Sequence, residues 1–198
     1  FTIINSAAGD NITLGDVMTS DMLDNTVINT DLKLILKDVA SNALTLVDAT
    51  MDDTADKLTV DGSNLTGSNA LTFIGTDEAS AEVSVTGGAA ADAITGGGGD
   101  DTIVGGAGID NLVGGNGNNM FVYLSNAADA TGVGETITGG SGTDTVVVSG
   151  GTTAVNFSND TLSALNTLEL RKDSAGSDDV NAQSLTMSDA QIDAFTII

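Results

Sequence analysis

Short apolar stretches alternate with Asn, Asp, Gly and Ser along the first 60 residues of the chain. They recur at intervals of roughly 10 to 13 residues without a long helical period, which is the pattern of an all-β protein. The predicted strands in this part are Phe1–Ile4, Asn11–Leu14, Asn25–Ile28, Leu32–Leu36, Leu44–Val47 and Lys57–Val60. A helical turn is predicted over Asp16–Leu23.

The alternation of turns and strands continues on both sides of the centre of the chain. The further predicted strands are Ala70–Ile74, Glu82–Val85, Ala154–Phe157, Leu165–Arg171 and Ser184–Met187. Helical turns are expected over Ser158–Leu165 and Ser188–Ala194. In the second of these turns, Ser188 and Gln191 have the spacing of a capping box.

Residues 87–122 contain one nine-residue pattern four times in succession. Each copy begins with two glycines, has an acid or an amide at its sixth position and a large apolar residue at its eighth. The sixth positions are Asp92, Asp101, Asp110 and Asn119, and the eighth are Ile94, Ile103, Leu112 and Phe121. A glycine-rich turn followed by a strand that points one side chain inward, repeated at a fixed step, predicts a parallel β-solenoid.

The nine-residue period extends beyond these copies in both directions. Val85 lies nine residues before Ile94, so the coil is expected to begin before its glycine-rich loops. After the fourth copy the period breaks over Tyr123–Asp129, a seven-residue insertion predicted to form a loop, and Gly139–Val147 is a further clear copy. The resumed period places Glu135 and Asp144 at sixth positions.

Two nonapeptides per turn would place alternate loops above one another at the strand spacing of about 4.8 Å. Asp92 would then lie over Asp110 on one edge, and Asp101 over Asn119 on the other. Two carboxylates at this spacing repel by about 3 to 4 kcal/mol at an effective dielectric constant near 20. A divalent cation between the loops reverses the sign, and calcium suits the loops because it accepts roughly six to eight oxygens in flexible geometry. A metal-free solenoid with Asp-capped turns does not explain why an acid recurs at three successive sixth positions.

Composition narrows the classes of function. The 198 residues include 28 acidic and 5 basic side chains, for a formal net charge of -23. This charge disfavours nucleic acid and anionic membranes as partners and favours cations. The chain contains no His, Cys, Pro or Trp, which excludes imidazole-based triads, zinc-thiolate sites and cysteine nucleophiles. The sequence also contains no apolar run long enough to span a membrane.

The motif Gly-Gly-x-Gly-x-Asp-x-(large apolar)-x resembles the repeats-in-toxin (RTX) calcium-binding proteins. The resemblance covers Gly87–Val122 and Ala130–Val147, and it implies an all-β fold with a central parallel β-roll that binds calcium between successive loops. The candidate side-chain ligands that it implies are Asp92, Asp101, Asp110, Asp144, Asn119, Glu135 and Asp100. The candidate loop positions, which would contribute carbonyl oxygens, are Gly87, Gly96, Gly98, Gly105, Ala107, Gly114 and Asn116.

The candidate calcium sites are ranked by how closely each copy follows the motif. Ala89-Ala90-Ala91 lacks the glycine at the fourth position, Asn119 brings no charge, and Glu135 has few glycines around it. The strongest calcium sites are therefore expected at Asp92, Asp101 and Asp110, with weaker ones at Asn119, Glu135 and Asp144.

The preferred functional hypothesis is a calcium-binding structural module of a secreted, repetitive bacterial surface protein: an S-layer protein, an adhesin or a filament. Such a module would fold outside the cell after type I secretion, with copies of itself or neighbouring modules as partners. A carbohydrate ligand is left open. The alternative is a non-catalytic accessory domain of a secreted protease or polysaccharide-modifying enzyme. Catalysis by Asp100-Asp101 or Asp178-Asp179 is disfavoured because neither pair has the aromatic or basic neighbours of a sugar site.

We expect three segments: a β-rich part at 1–86 that continues into the coil, the calcium-binding repeats at 87–147, and a β-rich part at 148–198. The chain does not start with Met, and Phe1-Thr2-Ile3-Ile4 recurs 194 residues later as Phe195-Thr196-Ile197-Ile198. This recurrence predicts a module cut in phase from a longer tandem array.

Overall fold

The computed structural model describes residues 10–13, 31–38, 41–45, 57–76, 82–124, 134–149, 155–171, 185–192 and 195–197. In chain order its elements are β1 Asp10–Thr13, β2 Leu32–Ile35, β3 Asn42–Thr45, β4 Lys57–Asp61, β5 Leu71–Ile74, β6 Glu82–Thr86, β7 Ala93–Thr95, β8 Thr102–Val104, β9 Asn111–Gly115, β10 Met120–Leu124, β11 Thr136–Gly140, β12 Thr145–Ser149, β13 Val155–Asn156, β14 Thr161–Ser163, β15 Thr167–Arg171, β16 Leu185–Thr186, α1 Asp189–Ile192 and β17 Thr196–Ile197.

These strands wind into a parallel β-solenoid. In the described residues, one sheet has nine strands in the order β1-β2-β4-β6-β8-β10-β12-β15-β17, and a second has six in the order β14-β11-β9-β7-β5-β3. From β2 to β12 consecutive strands alternate between the two sheets, and all pairings are parallel. Each turn of the coil therefore adds one strand to each sheet, which is the predicted all-β architecture. A small third sheet pairs β13 with β16.

The length of a turn follows the sequence period. Through the nonapeptides the partner residues are 18 positions apart, as in the hydrogen bond between Asp92 and Asp110. Across the interruption the step rises to 25, as between Asn119 and Asp144. The difference confirms a seven-residue insertion. Its predicted start is two residues too early, because Tyr123 and Leu124 continue β10 and pair with β12. Residues 125–133 lie outside the described part.

Two rows of buried side chains from the eighth positions form the core. In the nine-stranded sheet the row is Val85, Ile103, Phe121, Val146 and Leu168, and in the six-stranded sheet it is Phe73, Ile94, Leu112, Ile137 and Leu162. All except the partly buried Leu162 are at most 4% exposed, and they belong to one hydrophobic cluster. Each fully buried side chain contributes about 1.5–3 kcal/mol relative to an exposed one. The row of the nine-stranded sheet begins before the glycine-rich loops, as the position of Val85 predicted.

The helical turn predicted over Ser158–Leu165 is wrong. Residues 158–159 form a turn in which Asp160 N–H donates to Phe157 O at 2.9 Å, and β14 follows directly. The segment is a strand because Thr161 pairs with Thr136 of β11, and this partner is 25 residues away and invisible to local propensity.

The turn predicted over Ser188–Ala194 is confirmed as α1. One half of its capping box is present, because Gln191 Oε1 accepts the Ser188 N–H at 2.8 Å. The predictions for Phe1–Ile4, Asp16–Leu23 and Asn25–Ile28 lie outside the described residues.

Candidate metal centre

The sixth residue of each repeat lies immediately before a strand, so parallel pairing stacks these residues in two rows. Row A precedes strands of the nine-stranded sheet and contains Asp101, Asn119, Asp144 and Asn166. Row B precedes strands of the six-stranded sheet and contains Asp92, Asp110, Glu135 and Asp160. The stacking of Asp92 on Asp110 and of Asp101 on Asn119 is therefore confirmed.

Side chains of each row are hydrogen-bonded to the backbone of the preceding turn. Asp110 Oδ1 accepts the N–H of Asp92 at 2.8 Å, and Asn119 Oδ1 accepts that of Asp101 at 3.1 Å. Asp144 Oδ1 accepts the N–H of Asn119 at 3.0 Å. These bonds fix one oxygen of each aspartate and leave the second, Oδ2, to the loop, whereas Asn119 presents Nδ2 there and donates to Asn116 O at 3.2 Å.

The loops are of two kinds, which differ in whether the second carboxylate oxygen, Oδ2, accepts a hydrogen bond. In the loops that end at Asp92 and Asp101, Oδ2 accepts the N–H of the second glycine, Gly88 or Gly97, at 2.6 Å. We call these closed loops. In the loops that end at Asp110 and Asp144, Oδ2 is buried and has no hydrogen-bond partner among the described residues. We call these open loops.

The conformation of the second glycine accompanies this difference. Gly106 and Gly140, in the open loops, have φ values of 97° and 123°. Gly88 and Gly97, in the closed loops, are not in the left-handed region. Only glycine adopts such positive φ values at little cost, so the repeated second-position glycine permits both loop forms.

The first-position glycines leave room for oxygen atoms. A Cβ at Gly87 or Gly96 would overlap Oδ2 of the same loop's aspartate and the carbonyl oxygen of the first glycine one turn later, Gly105 or Gly114. A carboxylate oxygen and a carbonyl oxygen thus approach the same point beside each of these glycines. Oxygen atoms converging in this way suit a hard cation.

The remaining candidates occupy the third and fifth positions of their loops. The N–H groups of Ala107 and Asn116, at third positions, donate to the second-position carbonyls of the preceding turn, at 2.9 and 3.0 Å. Gly98 occupies the same position in its loop and is partly exposed. Asp100 is exposed, and its Oδ1 accepts the N–H of Asn118 at 2.6 Å.

Alanine at the fourth position does not break its loop. Ala90 is 9% exposed and does not have positive φ, whereas the stacked Gly108 has a φ of 129°. The loop at 87–92 therefore forms with alanine at the position where the motif has glycine.

Both rows are buried except at the end of row A, where Asn166 is exposed. Asp92, Asp101, Asp110, Asn119, Glu135 and Asp144 are each at most 2% exposed. Burial raises the pKa of Asp101 to about 6 even though two backbone N–H groups oppose it. The pKa of Asp110 rises to about 7, first through burial and then through the Asp92 charge, against the opposing Asp92 N–H. The pKa of Glu135 rises to about 8, again first through burial and then through the charges of Asp110 and Asp160.

These features fit a calcium-type cation. An unpartnered buried polar atom costs about 1–3 kcal/mol, and more when it is charged, so the open loops require a positive group or a proton. Among the described residues no cluster of three or more acidic side chains forms a metal site. Each loop instead combines one carboxylate with backbone carbonyls, which is an all-oxygen donor set of the kind calcium accepts. The ranking of the individual sites stays a prediction.

The sequence reading missed two members of the rows. Asp160 Oδ1 accepts the N–H groups of Gly134 and Glu135 at 3.1 and 3.0 Å, and Asn166 Oδ1 accepts that of Asp144 at 2.7 Å. Each is followed two residues later by a leucine, Leu162 or Leu168, as in the sixth-to-eighth spacing of the repeat. That spacing could have identified both residues from the sequence, but neither is preceded by the glycine pair that marks the repeats.

Comparison with family models matches residues 85–121 and 134–152 to the RTX calcium-binding nonapeptide repeat, in four copies. These residues include both closed loops and both open loops. Comparisons with curated proteins and with solved structures gave no significant match.

Proposed function

Because its repeat region is an RTX β-roll, whose nonapeptide repeats bind calcium, we propose that this chain is a structural module of a secreted, repetitive cell-surface protein. In this proposal the module folds when it binds calcium outside the cell and then assembles with copies of itself or with neighbouring modules. The surface protein would be an S-layer protein, an adhesin or a filament.

The observation that carries the proposal is the pair of open loops. Asp110 and Asp144 each bury a carboxylate oxygen that no described hydrogen-bond donor reaches. Calcium would supply the missing positive charge, held by these carboxylates and by loop carbonyls such as that of Ala164, which approaches the same point beside Gly139 as Asp144 Oδ2. A site held at 100 times its dissociation constant would add about 2.7 kcal/mol to the free energy of unfolding. At low calcium the stacked acids would oppose folding, which suits export as an unfolded chain.

The placement of the acids supports a structural role over a catalytic one. Asp101 is fully buried and its oxygens accept backbone N–H groups, while the adjacent Asp100 is exposed and bonded to Asn118. The two carboxylates therefore do not face one common substrate position. Asp178 and Asp179 lie outside the described residues.

The sheet ends support assembly through strand addition. Among the described strands, β1 and β17 each have a neighbour on one side only, as do β3 and β14 in the smaller sheet. Such edges can accept a further parallel strand from another module. Within the described part of the chain, no helix has the length and apolar character that a membrane span requires.

The experiment is to compare the full chain in calcium, in magnesium and in EDTA. Calcium should raise the strand signal in far-UV circular dichroism and the melting temperature, and magnesium should do so less because it requires a tighter octahedral shell. Electron microscopy in calcium should then show fibres or lattices that dissolve in EDTA. A melting curve that is the same in EDTA and in calcium would remove the basis of the proposal.

A further inference from the structure

Asp160 continues row B beyond the nonapeptide repeats. It lies after residue 152, where the match to the RTX repeat ends, and its surroundings, Asn156–Asn159, contain no glycine. The pairing of β14 with β11 nevertheless places it in register with Glu135, one turn away. Topology therefore provides an acid here that the repeat motif does not.

The carboxylate of Asp160 has the same arrangement as those of the open loops. The residue is 8% exposed, Oδ1 accepts the two backbone N–H groups of Gly134 and Glu135, and Oδ2 is buried without a hydrogen-bond partner among the described residues. None of the ion pairs between described residues involves Asp160 or Glu135. Within the described part of the chain, this oxygen therefore has neither a hydrogen-bond donor nor a cationic side chain as partner.

Glu135 is the neighbour of Asp160 in row B, and its carboxylate is close enough for the Asp160 charge to act on it. It is 2% exposed, and the charges that raise its pKa, after burial, are those of Asp110 on one side and Asp160 on the other. All four members of row B are acidic, and the two neighbours of Glu135, Asp110 and Asp160, each have an oxygen without a described partner. The longer glutamate side chain replaces aspartate at the position between them.

We propose that Glu135 and Asp160 form a further divalent-cation site, which takes calcium and extends the row of bound ions past the RTX repeats into the C-terminal part of the coil. The proposal rests on the proposed function, since it assumes that calcium occupies this roll. It adds a site that the repeat motif does not mark. The consequence is that calcium ties β14 to β11, so that the ion-dependent part of the fold is longer than the repeat region.

The test is the number of calcium ions bound by the full chain, counted by native mass spectrometry and by isothermal titration calorimetry. Asp160→Asn keeps the Oδ1 acceptor and removes the charge, so it should bind one calcium fewer than the wild type. Glu135→Gln should lose the same ion, and the double variant should lose no more than either single one. Asp31→Asn is the matched control, because Asp31 is exposed and its Oδ1 also accepts a backbone N–H, from Lys57 at 3.1 Å. It should bind as many ions as the wild type.

The experiment distinguishes a failure of the Glu135–Asp160 site from a failure of the proposed function. If the wild type binds calcium but D160N and E135Q both retain its full count, the Glu135–Asp160 site is wrong and the proposed function stands. If the wild type binds no calcium, the proposed function falls and this site falls with it. Should D160N not fold, E135Q alone decides, because the Asp160 carboxylate that accepts the two N–H groups is intact in it.

Discussion

The difference between open and closed loops predicts opposite effects for the same substitution at two stacked positions. Asp92 and Asp110 occupy the same place in row B and are equally buried, at 2% exposure. Asp92 Oδ2 accepts the Gly88 N–H at 2.6 Å, whereas Asp110 Oδ2 has no described partner. Substitution by Asn at each position removes one charge and preserves the shape of the side chain.

Without calcium, Asp110→Asn should stabilise the fold. The pKa of Asp110 is about 7 against an ordinary value of 3.8. At about 1.36 kcal/mol per pKa unit, the ionised side chain therefore costs roughly 4 kcal/mol above neutral pH. Asn119 shows that row positions accept an amide, since its Oδ1 makes the same bond to the preceding turn. Asp92→Asn should instead destabilise the metal-free fold, because its Nδ2 would face the Gly88 N–H with two donors opposed.

With calcium, the sign for Asp110→Asn should reverse, because the variant loses a carboxylate ligand. The loss is about 2.7 kcal/mol when the site is held at 100 times its dissociation constant, and about 5.5 kcal/mol at 10,000 times. The reversal therefore requires calcium near the higher ratio, where the loss exceeds the roughly 4 kcal/mol gained by removing the charge. For a chain of this size 1 kcal/mol shifts the melting temperature by roughly 2–4 °C. The assay is thermal unfolding by far-UV circular dichroism at pH 8, in EDTA and in calcium, with Asp31→Asn as the exposed control. Equal destabilisation of Asp110→Asn in both conditions would refute the reasoning and leave Asp110 as a simple acceptor for the Asp92 N–H.

Two further predictions concern the pH dependence of stability and the space beside the first glycines. The folded-state pKa values of Asp110 and Glu135 are raised to about 7 and about 8, so the metal-free folded chain holds more protons than the unfolded chain above about pH 4. Its free energy of unfolding should fall as pH rises from about 4.5 to 8, by up to about 1.4 kcal/mol per unit and group, whereas saturating calcium should flatten or invert this slope. Urea unfolding at several pH values measures both slopes, and parallel slopes with and without calcium would contradict the prediction. Gly96→Ala would force its Cβ against Asp101 Oδ2. The control is Gly67→Ala, because Gly67 has open space around it and a φ of 64°, so that substitution should cost only roughly 1 kcal/mol of backbone strain. Gly96→Ala should lower the free energy of unfolding of the calcium-bound chain by well over that amount. Equal melting temperatures for these two variants would show that the space beside the first glycine is not needed.

The sequence alone determined the parts of this protein that depend on short-range periodicity. A nine-residue step with one large apolar residue per copy leaves few arrangements other than a coil with that residue inside. The stacking of Asp92 on Asp110 and the length of the insertion follow from counting residues. The calcium-binding nature of the repeats follows from the same motif.

Only the tertiary structure decided what depends on strand pairing between distant residues. Residues 158–165 are predicted to be helical from local propensity, yet pairing with β11 makes them strand and brings Asp160 beneath Glu135. Likewise, Asp92 and Asp110 are the same residue at the same motif position, but the backbone of the neighbouring glycine leaves only one of them with an unpartnered oxygen. The physical reason is that glycine permits two loop conformations of similar local energy, so packing against the adjacent turns selects between them.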